Sequence, residues 1–348
     1  VPDRSFIPTA PLIEAAGKVQ EDLHARAAAA AEARFGRRVF VRAVVEASNY
    51  CRQNCDYCGM RRDNRSLTRY RADLEQLADL LIQQRPNSVT DVNIQTGEDA
   101  VAAREVVLPL VRRLRRETLL GISVCLGNLG PSLYAELLEA GATTYIMKFE
   151  MAGPARYERF HAPGTLASRI RHIQLLADLG WNVSSGFIAG LPGQTTVDLL
   201  TNLALAKTLP LIGCSVSPFI PGDETPLKES AGVDINQTLN CMAALRLMRP
   251  DWMIPSVSAL NLAQPVEGYR RGLRTGANVV TINLTPAEIR GDYLLYKRDR
   301  FIMTEERILQ AIEAEGLIPS RQSLADYLQS QQAPDSMDTD TDAVAVRA

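Results

Sequence analysis

The chain shows no excess of charge of either sign: 38 Lys and Arg stand against 40 Asp and Glu in 348 residues, for a net charge of −2. No stretch is strongly basic, so the electrostatic footprint of a nucleic-acid binder is missing. Long apolar runs are missing too. Val106–Val111 is among the longest, whereas a membrane helix needs about 20 apolar residues. No secretory apolar core opens the residues given, which points to the cytoplasm and away from a membrane partner. Cysteine is too sparse for a disulfide framework. Of the six, three fall within eight residues, a clustering that points to metal rather than to cross-links.

What is present is a pattern. At 46% hydrophobic and 22% charged, the chain has the composition of a globular protein with a sizeable core. Its length suits one large α/β barrel or two ordinary domains. Apolar, β-branched runs occur at 39–47, 89–95, 119–126, 143–149, 182–189, 212–219, 253–260 and 278–284. Helix-period segments lie between them, such as the Leu74, Leu77, Leu80, Leu81 stripe and the Leu133, Leu137, Leu138 stripe that ends at Gly141. Near-continuous apolar strands separated by helices predict a parallel sheet covered on both faces. Eight such units predict a (β/α)8 TIM-type barrel. The alternative, an open doubly wound sheet, lacks a GxGxxG after its first strand. The expected organisation is an N-terminal helical lead-in over 1–38, the barrel over 39–328 and a disordered C-terminal tail over 329–348.

The segment SNYCRQNCDYCGMRRDN carries Cys51, Cys55 and Cys58 in Cys-x3-Cys-x2-Cys spacing. Three thiolates on a four-iron cluster leave one iron open for a cofactor or substrate. The triplet directly follows the first strand, at the barrel face where active sites are built. The spacing alone leaves open a zinc site completed by a distant residue such as His161 or His172.

This triplet, with Tyr57 before its last cysteine, resembles the signature of the radical S-adenosylmethionine (SAM) superfamily. The likeness extends to the barrel subgroup that contains biotin synthase, the maturase of iron–iron hydrogenases and methylornithine synthase. It is carried by residues 39–71, QTGED (Gln95–Asp99), GFIAGLPGQT (Gly186–Thr195), PFIPGDETPL (Pro218–Leu227), ALRLMRPDWMIP (Ala244–Pro255) and GANVVTINLTP (Gly276–Pro286). The resemblance implies a 4Fe-4S cluster on Cys51, Cys55 and Cys58, with SAM as the second cofactor. It implies a reductant such as flavodoxin or ferredoxin and a small-molecule substrate. By the same resemblance Tyr57 lies beside adenine, and Thr96, Gly97 and Glu98 receive the SAM amino group. Glu150 binds its ribose or amino end, Arg169 faces its carboxylate, and Phe219 and Ile220 pack the adenine.

Departures from these relatives bear on the substrate. Gln95 and Ser184 stand where biotin synthase would place cysteines for a sulfur-donating cluster, and Cys125 is offset by two positions, so sulfur insertion is not expected. Cys125, Cys214 and Cys241 read as small buried apolar residues. Ser215, Val257 and Ala259 stand where methylornithine synthase would carry polar lysine-binding groups. The expected substrate pocket is polar but almost uncharged, lined by Gln95, Ser184, Ser215, Val257, Ser258, Asn283, Tyr293 and Tyr296. The resemblance thus implies a radical SAM enzyme acting on a small polar substrate. Its alternatives are the hydrogenase maturase, acting on an organometallic iron precursor, and a non-catalytic iron–sulfur scaffold.

Overall fold

The structure is a computed structural model that describes residues 6–298 and 302–332. Seven parallel strands run through it: β1 (Arg38–Ser48), β2 (Asp91–Thr96), β3 (Gly121–Cys125), β4 (Thr144–Ile146), β5 (Asn182–Ala189), β6 (Gly213–Pro218) and β7 (Val279–Asn283). They neighbour one another in the order β6-β5-β4-β3-β2-β1-β7. Helices connect them because a parallel pair needs a long crossover. Two isolated bridges, Gly213 with Met253 and Pro255 with Val279, join β6 to β7 and close the ring. The fold is thus the expected TIM-type barrel, with one correction. The run 253–260 is no continuous strand: Pro255 has no N–H to give to a ladder, and the chain turns helical at Ala259–Ala263. A short strand not expected from the sequence, β8 (Ile318–Pro319), pairs with the start of β1.

Side-chain alternation sorts each strand. Val41, Ala43, Val45 and Ala47 of β1 are 0% exposed and join the main core with Leu77, Leu81 and Leu110 from the surrounding helices. Arg42, Val44 and Glu46, at alternate positions, point the other way, into the barrel. Helix starts follow ordinary capping chemistry. Asp73 accepts from Gln76 N at the helix Leu74–Gln83, and Thr195 with Asp198 forms a capping box on Thr196–Thr208. The Ala-rich lead-in is a helix over Gly17–Phe35. It is held to the helix Ile235–Met248 by Asn240, which accepts from Gln20 and donates to the carbonyls of Ile13 and Ala15. At the other end, the helix Leu324–Gln332 covers residues 329–332, where the tail was expected to begin. Residues 333–348 lie outside the described part.

Candidate active site

A cavity of about 180 Å³ opens at the C-terminal ends of the strands. The loop after β1 brings Cys51, Cys55, Tyr57 and Cys58 to it, and the end of β2 with the turn that follows brings Thr96, Gly97 and Glu98. Arg69 holds the cysteine loop in shape, its guanidinium donating to the carbonyls of Asn49 (2.6 Å), Met60 (3.0 Å) and Arg61 (2.7 Å). The turn after β2 needs its glycine: a Cβ on Gly97 would meet the Tyr50 carbonyl and approach the Cys51 Cβ to 2.8 Å. That close approach lets the Glu98 amide reach the Cys51 sulfur at 3.4 Å.

Burial pushes all three thiols upward: Cys58 to about 12, Cys55 well above the ordinary thiol value, and Cys51 less, because backbone amides of Glu98 and Gln53 oppose the shift. The bare thiols therefore carry their protons, which iron would displace on binding. Among the described residues no three Cys, His, Asp or Glu side chains converge on a single ion. The three thiols instead border one cavity, an arrangement that fits a cluster in which each cysteine serves a different iron. The histidines of a zinc site are elsewhere: His161 is exposed on Asp56, and His172 is bonded to the Tyr134 hydroxyl.

Charge in the cavity comes from two carboxylates and two cations. Glu98 accepts from Arg52 Nε and Gln53 Nε2, both at 2.6 Å. Arg169, in the helix Leu166–Asp178, lies 3.8 Å from Glu98 and donates to Asn128 Oδ1 at 2.8 Å. Glu150 sits beyond β4 with φ at +62°, bridged to Phe187. Left-handed backbone at a non-glycine residue is strain of the kind that collects at functional sites. Its carboxylate has no hydrogen-bond or ion-pair partner among the described residues. Phe219 and Ile220, after β6, form an apolar part of the wall.

The cavity thus gathers Tyr57, Thr96, Gly97, Glu98, Glu150, Arg169, Phe219 and Ile220 around the three cysteines. Of the residues expected to line a substrate pocket it includes Tyr296 alone. Gln95 sits in the ladder between Glu46 and Cys125. Ser184 and Ser215 donate to the carbonyls of Gly213 and Ser185, each at 3.3 Å. Asn283 donates to Glu46, Ser258 is exposed, and Tyr293 packs with Met60, Leu67 and Leu294. Two ionisable residues not anticipated there do line it. Cys125, expected to be buried filler like Cys214 and Cys241, borders the cavity. Lys148 adds a second cation to Arg169.

The profile of the Radical SAM superfamily matches residues 45–206. The FeFe-hydrogenase maturase subunit HydE of Thermotoga maritima is 32% identical over 291 residues, covering 82% of this chain and 83% of that one. The 3-methylornithine synthase of Methanosarcina barkeri is 25% identical over 296 residues, with 83% and 82% covered. A crystal structure of methylornithine synthase (PylB) superposes with a TM-score of 0.82 at 23% identity, over 93% of this chain and 97% of that one, which supports the barrel fold.

Proposed function

The chain belongs to the radical SAM superfamily, whose enzymes use a 4Fe-4S cluster and S-adenosylmethionine, and on that premise we propose that Cys51, Cys55 and Cys58 hold the cluster while the adjoining cavity receives SAM. When bound, the pair would supply reductive cleavage of the sulfonium and radical hydrogen abstraction, here from a small polar substrate. An electron donor of the flavodoxin or ferredoxin type completes the scheme. The observation that carries the proposal is the joint placement of the three thiols, Glu98, Glu150 and Arg169 around one cavity.

The chain's own groups have separate tasks. Gly97 leaves room for the turn that presents backbone amides to the ligand. Glu150 offers an uncommitted carboxylate to hydroxyl or amino donors, and Arg169 offers a fixed positive charge to a carboxylate. Buried Tyr57, Phe219 and Ile220 give a flat apolar surface and exclude water. A scaffold that only carried iron and sulfur would have no use for this set of charges.

Binding of SAM to anaerobically reconstituted protein tests the assignment. Glu150→Ala and Arg169→Ala should each weaken it by about tenfold or more, the worth of a charge-assisted bond, with iron content unchanged. Wild-type affinity in both variants would remove these residues from the cofactor site. Hydrogenase maturation is the second reading. It is favoured by the 32% identity to the Thermotoga maritima maturase, and accumulation of active hydrogenase in a maturase-deficient host would test it.

A further inference from the structure

Lys148 is the one cation of the cavity with no carboxylate paired to it, and it has no part in the cofactor set described above. It lies two residues past the end of β4, in alternation with Thr144 and Ile146, so strand geometry turns it inward. Its Nζ donates to the Ser217 hydroxyl on β6 at 3.2 Å. Among the described residues no carboxylate comes within ion-pair distance of it, whereas the other cation, Arg169, is already engaged by Asn128 and Glu98. Burial pulls the Lys148 ammonium toward neutrality, but Glu150 and the neighbouring Tyr296, Cys125 and Cys214 groups outweigh that, and its pKa is raised. The side chain therefore keeps its charge. An ammonium has three donors, and the single bond to Ser217 leaves two for a ligand. Glu150 balances that charge only from beyond ion-pair distance and is assigned above to the cofactor, so the ammonium has no anion in contact with it, and a ligand carboxylate would supply one.

We propose that Lys148, seated on Ser217, recognises a carboxylate group on the substrate. One uncommitted ammonium balances one negative charge. A monoanionic carboxylate meets that requirement, whereas a phosphate dianion would leave a charge unpaired in a cavity of about 180 Å³. The proposal rests on the cofactor reading above and adds the chemical class of the substrate to it.

Trifluoroacetate serves as the probe, followed by 19F NMR line broadening in the cluster-loaded, SAM-bound full chain, with neutral trifluoroethanol as its counterpart. Wild-type protein should bind trifluoroacetate in preference to trifluoroethanol. Lys148→Met should weaken trifluoroacetate binding by about tenfold or more, and Lys148→Arg should retain it. Iron content and SAM affinity of Lys148→Met should equal those of the wild type. Undiminished trifluoroacetate binding in Lys148→Met, its loss in Lys148→Arg, or equal binding of the neutral probe would overturn the proposal. So would a loss of SAM affinity in Lys148→Met, which would assign the ammonium to the cofactor. A wild-type protein that takes up neither iron nor SAM would overturn the cofactor reading, and the proposal with it.

Discussion

The Arg169 guanidinium and the Glu98 carboxylate lie 3.8 Å apart, and each side chain is only 4% exposed. The same carboxylate takes hydrogen bonds from Arg52 and Gln53 of the cysteine loop. Glu98 thereby ties the thiol-bearing loop to the cavity's buried cation. Removing one partner of a buried pair leaves the other charge uncompensated, at a cost of about 3–5 kcal/mol. Glu98→Gln keeps the shape and deletes the charge, so urea unfolding of the metal-free protein should show a loss of that size. Arg52→Gln is the comparison: its side chain is 62% exposed, and the expected loss is about 0–1 kcal/mol. Arg169 also donates to Asn128 Oδ1 and, at 3.5 Å, to the Tyr157 hydroxyl, and equal losses would show that these two alone satisfy it.

The close packing of Gly97 predicts a second outcome. Gly97→Ala forces the Tyr50 carbonyl and Cys51 apart, so it should lower the iron retained after anaerobic reconstitution. Gly130→Ala, at a position where a new Cβ meets nothing within 4 Å, should leave iron content unchanged. Full iron retention in Gly97→Ala would mean that the turn adapts.

Asp91 gives a pH dependence. Burial pushes its carboxyl up from 3.8 to about 6, against the opposing backbone bonds from Leu324 and Ala325. Across that window the folded chain holds a proton that the unfolded chain has released, so the contribution of Asp91 to stability is present below pH 3.8 and is lost as pH rises through about 6. The stability of the wild type relative to Asp91→Asn should therefore fall by up to about 3 kcal/mol between pH 4 and pH 7. A difference that stays constant, or that grows in favour of the wild type, would contradict the assignment.

Much of this architecture is legible in the sequence because parallel strands buried on both faces leave plain apolar runs. The run at 182–189 is β5 residue for residue. The expected strand at 143–149 is shorter, ending at Ile146, since the chain bends toward the left-handed Glu150. Local propensity does not show how the ring closes through single bridges at Met253 and Pro255. The cysteine loop is readable from its spacing, whereas Glu98, Glu150 and Arg169 come into view only through the family resemblance. Lys148 emerges from neither, because it stands among apolar neighbours in a strand-like run. Its one signal is the period of two: a lysine in step with Thr144 and Ile146 must face the barrel interior. Tyr293 shows the opposite failure. It is three residues from Tyr296, which lines the cavity, yet it packs into a separate apolar cluster with Met60 and Leu67.

The cleavage of SAM tests the central claim most directly. Reconstituted protein, incubated anaerobically with SAM and dithionite, is assayed for 5′-deoxyadenosine. The account predicts that the wild type forms it, that Cys51→Ala/Cys55→Ala/Cys58→Ala does not, and that Cys214→Ala/Cys241→Ala, altered at two buried core positions that do not line the cavity, still does. Absence of 5′-deoxyadenosine from a wild-type preparation that carries about four irons per chain, or its undiminished formation by the triple variant, would contradict the account.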